Sequence, residues 1–311
     1  MKYNKQNPLR LFEVCAGYGS QALALRRLHE HYPEFEYELV GWCEFDPESK
    51  SPLENQPAVI AHNALHPEGI GKNWGDLTKM DWSLVPDFDL LTYSTPCQSI
   101  SAAGLQHGFA EGSGTRSSII WYVRDAVKIK RPKFLMLENV KAMVSRKFLP
   151  MFNLWQTELE RLGYANFAKV LNAKDYGVPQ NRERIFLVSI RMDGLEGLAG
   201  NVYYHFPKPF PLDRRLKDVL EEKVDEKYYL SDKMLEYFNR VNDDNTHGHD
   251  FKPTDGGYFF RNKDCAGTES GRHVCKVGKV NGSQDGEVVG SEGISPCHTA
   301  GHGNCPKVIE K

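Results

Sequence analysis

The chain has 311 residues, of which 40% are hydrophobic and 26% charged, and its formal net charge is -2. Such values are typical of a folded globular protein and exclude a chain that charge repulsion keeps disordered. They also give no strong basic excess of the kind that many nucleic-acid binders carry. At about 150 residues per domain, the length predicts two domains, or one large domain with an insertion.

Neither a membrane segment nor a secretory signal is recognisable in the sequence. No stretch approaches the roughly 20 apolar residues that cross a bilayer, and the first eight residues lack the apolar core of a signal peptide. The seven cysteines are odd in number and scattered, which favours reduced thiols over a disulfide framework. We therefore expect a cytosolic protein.

Short apolar runs alternate with amphipathic stretches between residues 9 and 190, which is typical of βαβ units and a largely parallel sheet. Apolar residues at three- and four-residue spacing predict two helices, over about residues 116–130 and 146–162. The first helix is expected after residue 20, with Ala24, Leu25 and Leu28 on its apolar face. The predicted buried strands are residues 9–15, 38–43, 88–93, 134–137 and 185–190.

The composition shifts near Gly194, and from there on Gly, Asn and Asp are frequent. Only residues 232–241 look like a short helix, and several glycine-rich stretches are typical of turns. We therefore predict a second domain over residues 194–311 that is irregular and mostly β, following a first domain over residues 1–193.

The first predicted strand runs into a glycine loop, Gly17-Tyr18-Gly19, ahead of the first helix. Glycines at such a turn let the backbone approach a ligand at the carboxyl edge of the sheet. A tight turn that only packs helix on strand remains an alternative. The next strand ends at Glu44-Phe45, about 25 residues after the glycines, where folds of this kind bind ribose hydroxyls with an acid.

Three further segments carry chemistry at strand ends. Pro96-Cys97-Gln98 follows the third strand, which places a possible nucleophile at the sheet edge, although a lone loop cysteine is often only a small apolar residue. Glu138 and Asn139 follow the next strand, so that thiol and carboxylate can converge. Arg182 and Arg184 enter the last strand at alternate positions, which predicts that both guanidinium groups lie on one face.

Taken in order, these segments resemble the motifs of the cytosine-C5 DNA methyltransferases of bacteria and phages. The resemblance covers roughly residues 9–190, and a softer similarity near residues 292–304 matches the end of the family's target-recognition region. It implies an α/β fold with a Rossmann-like S-adenosylmethionine-dependent methyltransferase sheet, and a second, smaller, irregular and mostly β target-recognition domain. The matching motifs are Gly17-x-Gly19, Glu44, Pro96-Cys97-Gln98, Glu138-Asn139-Val140 and Gln180-x-Arg182-x-Arg184.

The resemblance also implies a reaction. A methyl group passes from S-adenosyl-L-methionine to C5 of a cytosine that is flipped out of a specific double-stranded DNA sequence. Cys97, as thiolate, adds to C6, and Glu138 hydrogen-bonds or protonates N3. Arg182 holds the cytosine carbonyl or a phosphate, and Arg184 is as readily a structural ion pair. Such a mark serves restriction-modification, protects a phage genome or regulates transcription.

The remaining implied sites follow from the same motifs. Asn139 is expected to orient the active-site loop. No metal site is expected, because the Cys and His residues of the second domain contain no C-x-x-C pair. The implied cofactor-binding residues are Gly17, Tyr18, Gly19, Glu44, Phe45, Asp76 and Pro96, with Asp76 on the adenine amine. The implied substrate and DNA contacts are Gln98, Ser99, Ser101, Asn139, Gln180 and Arg184.

The sequence departs from the family in two places. Cys15 replaces the usual phenylalanine, so Phe45 or Trp42 is expected to supply the aromatic contact with adenine. The family's last two motifs are not found, which is expected of a shortened chain, a decayed gene, or one half of a split enzyme with a second polypeptide. A DNA- or cofactor-binding pseudoenzyme and a tRNA cytosine methyltransferase are therefore alternatives. We expect the protein in the cytoplasm of a bacterial or phage-infected cell, associated with the nucleoid.

Overall fold

Six strands form one mixed sheet in the computed structural model, which describes residues 3–100, 107–193 and 202–223 and the backbone of three later strands. The strand order is β2-β1-β3-β4-β6-β5, and the pairs β1–β2, β1–β3 and β3–β4 are parallel. The strands are β1 (Leu9–Val14), β2 (Tyr37–Cys43), β3 (Leu90–Tyr93), β4 (Phe134–Val140), β5 (Tyr164–Asn172) and β6 (Glu183–Arg191).

Four α-helices accompany the sheet. They are α1 (Ser20–His31), α2 (Pro57–Leu65), α3 (Val123–Lys130) and α4 (Leu149–Arg161). Short 3-10 helices connect many of these elements. They lie at Leu53–Asn55, Pro67–Gly69, Leu77–Lys79, Arg116–Tyr122, Lys141–Val144, Ala173–Tyr176 and Leu216–Val219.

The antiparallel pairing of β4 with β6 makes β6 begin where β4 ends. Val140 lies opposite Arg184, and Glu138 lies opposite Phe186. Residues that face each other directly in an antiparallel pair share a face, and so do residues two positions along. Arg184 and Glu138 are therefore diagonal neighbours on one face of the sheet.

The sheet carries an apolar core on each face because its strand residues alternate in direction. One core includes Phe12, Tyr93, Leu135 and the α4 residue Trp155, whose Nε1 donates to Tyr93 Oη at 3.2 Å. The smaller core packs Leu11, Leu39 and Trp42 against Ala22 of α1 and Val59 of α2. Helices thus cover both faces, which leaves the strand ends and their loops to form a site.

The helix predictions needed three corrections. The predicted helix over residues 116–130 begins as the 3-10 helix Arg116–Tyr122 and becomes α3 only afterwards. In α1 the predicted apolar face was wrong at Ala24 and Leu28, which are exposed, whereas Leu25 packs against the smaller core beside the fully buried Ala22. The predicted helix over residues 146–162 is α4, which begins three residues later, with Pro150 in its first turn. The predicted helix over residues 232–241 lies outside the described residues.

The strand predictions missed β5 and shortened β4. Most side chains of β5 are half-buried or exposed because it is the last strand of the sheet, so no apolar run marks it. β4 continues three residues beyond the predicted end, which places Glu138 and Asn139 inside the strand. Within the described part of the chain, no helix is long and apolar enough to cross a membrane.

The chain divides into two compact units. The first comprises Met1–Val170 and Arg184–Phe206, and the second comprises Leu171–Glu183 and Pro207–Lys311. Residues 171–183, inside the predicted first domain, group with the second unit, and the boundary between residues 193 and 194 stays a prediction. A small sheet with the strand order β7-β8-β9 lies later in the chain. Its strands are β7 (Lys276–Lys279), β8 (Glu287–Gly290) and β9 (Lys307–Ile309).

Candidate active site and cofactor edge

The loop between β1 and α1 uses its two glycines for different reasons. Gly17 and Gly19 have φ of 57° and 79°, a left-handed backbone that side chains with a Cβ rarely adopt. A Cβ on Gly19 would lie 2.5 Å from the buried His66 ring, so this glycine packs the loop on the end of α2. A Cβ on Gly17 would meet no atom within 4 Å, so the backbone there faces open space that a ligand can approach.

Glu44 is held against this loop from the end of β2. The Gly17 N–H donates to Glu44 Oε2 at 2.7 Å, and the Glu44 N–H donates to Asn73 Oδ1 at 3.1 Å. Burial raises the pKa of the Glu44 carboxyl, and the hydrogen bond from Gly17 opposes this shift. The loop and the carboxylate therefore form one unit at the carboxyl edge of β1 and β2.

Asp76 has local partners on both carboxylate oxygens. Oδ1 accepts from the Thr78 N–H at 3.0 Å and from Thr78 Oγ1 at 2.8 Å, while Oδ2 lies 3.3 Å from Lys79 Nζ. Burial raises the pKa of Asp76, but the hydrogen bonds from Thr78 and the contact with Lys79 outweigh it, and the pKa is lowered. Asp76 thus caps the turn Leu77–Lys79, a role that sequence reasoning did not assign.

The aromatic candidates for the adenine contact separate clearly. Trp42 is fully buried, stacks on His62 at 3.6 Å between ring centroids, and donates from Nε1 to Gly69 O. Of the two candidates, Trp42 is therefore inaccessible to a cofactor, and Phe45 is the one that remains. Phe45 is half-buried, with Lys79 Nζ 5.9 Å from the centroid of its ring, and Tyr18 is 56% exposed, so both rings remain accessible.

These residues fit the cofactor that the family motifs imply. S-adenosylmethionine has a charged amino-acid end, a ribose diol and an aromatic base. The open approach to the Gly17 backbone matches the amino-acid end, and the Glu44 carboxylate matches the ribose diol. The accessible rings of Phe45 and Tyr18 match the aromatic base. The open space above Gly17 is the structural observation on which this fit rests.

The loop that carries Cys97 follows β3 and is anchored from two directions. Asn139, a buried residue of β4, donates from Nδ2 to Thr95 O at 3.0 Å and so contacts this loop, and its role in orienting the loop stays a prediction. Ser117 Oγ donates to Pro96 O at 2.6 Å. Cys97 is half-buried and Gln98 exposed, with Gln98 Oε1 accepting from Arg116 at 3.2 Å.

Sequence reasoning did not assign a role to Ser117, the second residue of the 3-10 helix Arg116–Tyr122. Of the other predicted contacts, Ser99 is buried, and Ser101 lies outside the described residues. Tyr93, the last residue of β3, pairs with Leu137 of β4, and β4 continues to Val140. The chain that leads to Cys97 therefore leaves β3 at the level of Glu138, at the carboxyl edge of both strands.

Glu138 forms an ion pair across the sheet. Arg184 Nε donates to Glu138 Oε1 at 3.0 Å, and both side chains are largely buried, at 14% and 22% exposed. Of the two alternatives for Arg184, the ion pair is the one observed. Gln180 and Arg182 belong to the unit of Leu171–Glu183, where the Arg182 N–H donates to Asn172 Oδ1 at 3.0 Å.

The prediction of no metal site concerns both the described residues and the later part of the chain. Among the described residues, no group of three or more His, Cys, Asp or Glu is arranged to hold a metal ion. The Cys and His residues of the later part of the chain lie outside the described side chains, so the prediction of no metal there stays a prediction.

One similar solved structure is a triple mutant of DNMT2 from Spodoptera frugiperda, with a TM-score of 0.54 and 19% identity. The similarity covers 75% of this chain and 65% of that chain. At this identity the similarity supports the fold alone. Together with the six-stranded mixed sheet, it confirms the predicted α/β, Rossmann-like methyltransferase architecture.

Two curated relatives are similar in sequence. The type II methyltransferase M2.ScrFI of Lactococcus lactis subsp. cremoris is 35% identical over 269 residues, which covers 73% of this chain and 71% of that protein. The orphan methyltransferase M.Rho11sI of Bacillus phage rho11s is 32% identical over 247 residues, which covers 72% of this chain and 46% of that protein. The chain thus spans only part of each relative's length.

A family model decides the assignment. The model described as C-5 cytosine-specific DNA methylase matches residues 9–292, which is most of the chain and includes every strand-end motif identified above. The resemblance and the implied methyl donor are confirmed at the level of the family. The chain therefore belongs to the C-5 cytosine-specific DNA methylases, the S-adenosylmethionine-dependent enzymes that methylate cytosine in DNA.

Proposed function

We propose that this chain methylates C5 of a cytosine in a specific duplex DNA sequence, through a covalent bond between Cys97 and C6 of a flipped-out base. The observation that supports this proposal most is the Glu138–Arg184 ion pair at the edge where the Cys97 loop leaves the sheet. A thiol and an oriented carboxylate at one edge are the two groups that addition to a pyrimidine ring needs.

Cys97 performs the first step. Cytosine C5 is a poor nucleophile because the ring is aromatic, and the ring is also stacked inside the duplex. The base is therefore rotated out of the helix. The Cys97 thiolate then forms a bond to C6, which turns C4 and C5 into an enamine with a nucleophilic C5. When bound, S-adenosylmethionine supplies an electrophilic methyl group. Loss of the C5 proton afterwards breaks the bond to Cys97.

Glu138 acts on the opposite side of the ring. Its carboxyl group hydrogen-bonds or protonates N3, which offsets the charge that develops during attack at C6. Arg184 binds Oε1 at 3.0 Å and so fixes the orientation of the carboxyl group, with Oε2 as the oxygen that faces N3. Arg182, in the second unit, is assigned to the cytosine carbonyl or the adjacent phosphate.

The loop between β1 and α1 would hold the cofactor. Gly17, Tyr18 and Gly19 would contact the methionine end of S-adenosylmethionine, and Glu44 would bind its ribose hydroxyls. Phe45, Pro96 and Asp76 would line the base and the reacting side, with Asp76 oriented by Thr78 and Lys79. DNA contacts are assigned to Gln98, Ser99, Ser101, Asn139, through the loop that it orients, and Gln180.

The proposal extends to the whole protein. Residues 1–193 catalyse the reaction and bind the cofactor, and residues 194–311 recognise the target sequence. A second polypeptide supplies the family's final motifs if the chain alone is slow. The protein acts on DNA in the cytoplasm of a bacterial or phage-infected cell, at the nucleoid.

The test is incorporation of a tritiated methyl group into duplex DNA by the purified chain, alone and with the product of the neighbouring reading frame. We expect incorporation that Cys97→Ser reduces at least a thousandfold, because a hydroxyl is a far weaker nucleophile than a thiolate. The control is Cys43→Ala, which removes a second thiol that is buried in the core at the end of β2, and we expect it to retain incorporation because Cys97 is left in place.

Undiminished incorporation by Cys97→Ser would contradict the covalent mechanism. No incorporation under any condition would favour the pseudoenzyme that only binds DNA or cofactor. Unlabelled tRNA that competes better than duplex DNA would favour the RNA methyltransferase. Bisulfite sequencing of DNA from an expressing host then identifies the methylated sequence.

A further inference from the structure

A single buried hydroxyl contacts the chain on both sides of Cys97. Ser117 Oγ donates to Pro96 O at 2.6 Å and accepts from the Ser99 N–H at 3.3 Å. Ser117 is only 1% exposed, so these hydrogen bonds face no competition from water. The two contacts bracket the residue proposed as the nucleophile.

Three successive carbonyl groups around Cys97 are fixed by three different donors. Thr95 O accepts from Asn139 Nδ2, Pro96 O from Ser117 Oγ, and Cys97 O from the Ile100 N–H at 3.0 Å. Rotation of any of these peptide planes breaks a hydrogen bond in a partly buried region, where an unpaired carbonyl is costly. The direction of the Cys97 side chain is therefore set by its backbone partners.

Ser117 is itself held in place by its neighbours. It lies in the 3-10 helix Arg116–Tyr122, which Thr115 caps by accepting from the Ser118 N–H at 3.2 Å. Thr115 Oγ1 also donates to Gly108 O at 2.9 Å. The 3-10 helix thus holds the Ser117 hydroxyl in place, and this hydroxyl hydrogen-bonds to the Cys97 loop.

We propose that Ser117 is a positioning residue for methyl transfer, whose hydroxyl clamps the peptide groups on either side of Cys97 and sets where the sulfur meets C6 of the base. This inference rests on the proposed function, because it takes Cys97 as the nucleophile. Alignment within a fraction of an ångström matters for attack on a ring carbon, so a loosened clamp lowers the rate more than it lowers binding.

The test compares Ser117→Ala with Ser118→Ala. The two substitutions are chemically identical and adjacent, but Ser118 Oγ donates within its own turn, to Thr115 O at 2.7 Å, whereas Ser117 Oγ bonds to Pro96 and Ser99. The deciding measurement is the rate at which iodoacetamide alkylates each cysteine of the folded protein without cofactor or DNA. Tryptic peptides separate the two thiols, since residues 80–116 contain only Cys97 and residues 28–50 only Cys43.

We expect Ser117→Ala to raise the alkylation rate of Cys97 at least threefold while the rate of Cys43 stays unchanged. Burial raises the pKa of the Cys43 thiol to about 12, so this core residue reports general unfolding. Ser118→Ala should leave both rates within a factor of about two. Ser117→Thr, which keeps the hydroxyl, should return the Cys97 rate toward that of the native chain.

Methyl transfer provides the second readout. Ser117→Ala should lower kcat at least tenfold and change the KM values for DNA and cofactor less than threefold. Unchanged Cys97 alkylation in Ser117→Ala would overturn the clamp, and so would a parallel rise at Cys43. A native chain without methyl transfer would contradict the proposed function alone, because the alkylation comparison still decides the role of Ser117.

Discussion

The Glu44 carboxylate is stabilised and destabilised by its surroundings at once. It accepts the Gly17 N–H at 2.7 Å, yet burial raises its pKa above the ordinary value of a glutamate. A raised carboxyl pKa means that the folded chain binds the proton more tightly than the unfolded chain. Ionisation of Glu44 therefore lowers the free energy of unfolding, fully above the folded pKa. This cost shrinks as the pH falls through the folded pKa and is absent below the pKa of the unfolded chain.

Glu44→Gln should consequently separate stability from cofactor binding. At pH 8 we expect a Tm equal to or above that of the native chain, with the difference shrinking as the pH falls through the raised folded pKa of Glu44 to about 4, the ordinary range of a glutamate. Affinity for S-adenosylmethionine should fall tenfold or more at pH 8, because an amide binds a ribose diol less well than a carboxylate. Thermal unfolding at both pH values and titration calorimetry measure the two effects.

The control for this change is Glu48→Gln, an exposed carboxylate in the same loop that pairs with Arg116 at 3.0 Å. Exposed ion pairs contribute little, so affinity should not change. A cofactor affinity that Glu44→Gln leaves intact would remove Glu44 from the cofactor site.

Arg184 offers a second change at the scale of one residue. Arg184→Lys keeps the charge but loses the directed Nε bond to Glu138, so the carboxyl group turns more freely. Methyl transfer should fall between tenfold and a hundredfold, with DNA affinity changed less than threefold. Arg191→Lys is the matched control in the same strand, because Arg191 pairs with the exposed Asp193. Equal rates for the two variants would contradict the role given to Arg184.

At the scale of the element, the two glycines of the β1–α1 loop separate the cost of backbone strain from the cost of a packing overlap. Gly17→Ala places a Cβ in open space and incurs only the cost of a left-handed backbone, about 1–2 kcal/mol. Gly19→Ala adds the overlap with His66 at 2.5 Å, so it should destabilise the fold more than Gly17→Ala. Urea unfolding of both variants tests this order.

The double variant Gly19→Ala with His66→Ala identifies the source of the difference. Removal of the ring should recover part of the loss beyond the sum of the single changes. Strict additivity of the two changes would show that the backbone angle, rather than the His66 contact, makes Gly19 necessary.

Sequence patterns located the strands whose side chains are buried on one face or on both faces. They missed a strand whose side chains are mostly half-buried or exposed. β1, β3 and β6 carry apolar runs and were predicted within two residues at each end. β5, at the sheet edge, has no such run. Strand-end motifs identified Glu44, Cys97 and Glu138, because their spacing follows the parallel sheet.

The contacts that orient those residues were beyond the sequence. Ser117 lies 20 residues after Cys97 on a different element, and no periodicity connects the two. Sequence reasoning did not separate Trp42 from Phe45, because only the structure shows that Trp42 packs in the small core and stacks on His62. Pairings of this kind depend on tertiary geometry that local patterns do not encode.

At the scale of the whole molecule, the near-zero net charge conceals local arrangement. Basic side chains near the site form ion pairs with nearby carboxylates. Arg116 pairs with Asp46 and Glu48, and Arg184 pairs with Glu138. The net charge of the chain therefore says little about whether it binds nucleic acid. The evidence for DNA as the substrate comes from the family assignment.

Cofactor binding should stabilise the whole chain by mass action. At about 100 times its Kd, a ligand that binds only the folded state adds roughly 2.7 kcal/mol. For a domain of this size, that corresponds to a rise in Tm of about 5–10 °C. Cys97→Ser should retain the full shift and Glu44→Gln should lose most of it, as measured by thermal unfolding with S-adenosylmethionine and with methionine alone. A shift produced by methionine alone would contradict binding through the ribose.

The antiparallel position of β6 also determines when the site is completed during translation. Residues up to β4 leave the ribosome first, and β4 remains an open edge strand until Glu183–Arg191 follows. Ile185 and Leu187, which fill the core, and Arg184, which pairs with Glu138, arrive together on this strand. A nascent chain that stops before residue 184 therefore contains the thiol and the carboxyl group but neither a covered edge nor an oriented acid.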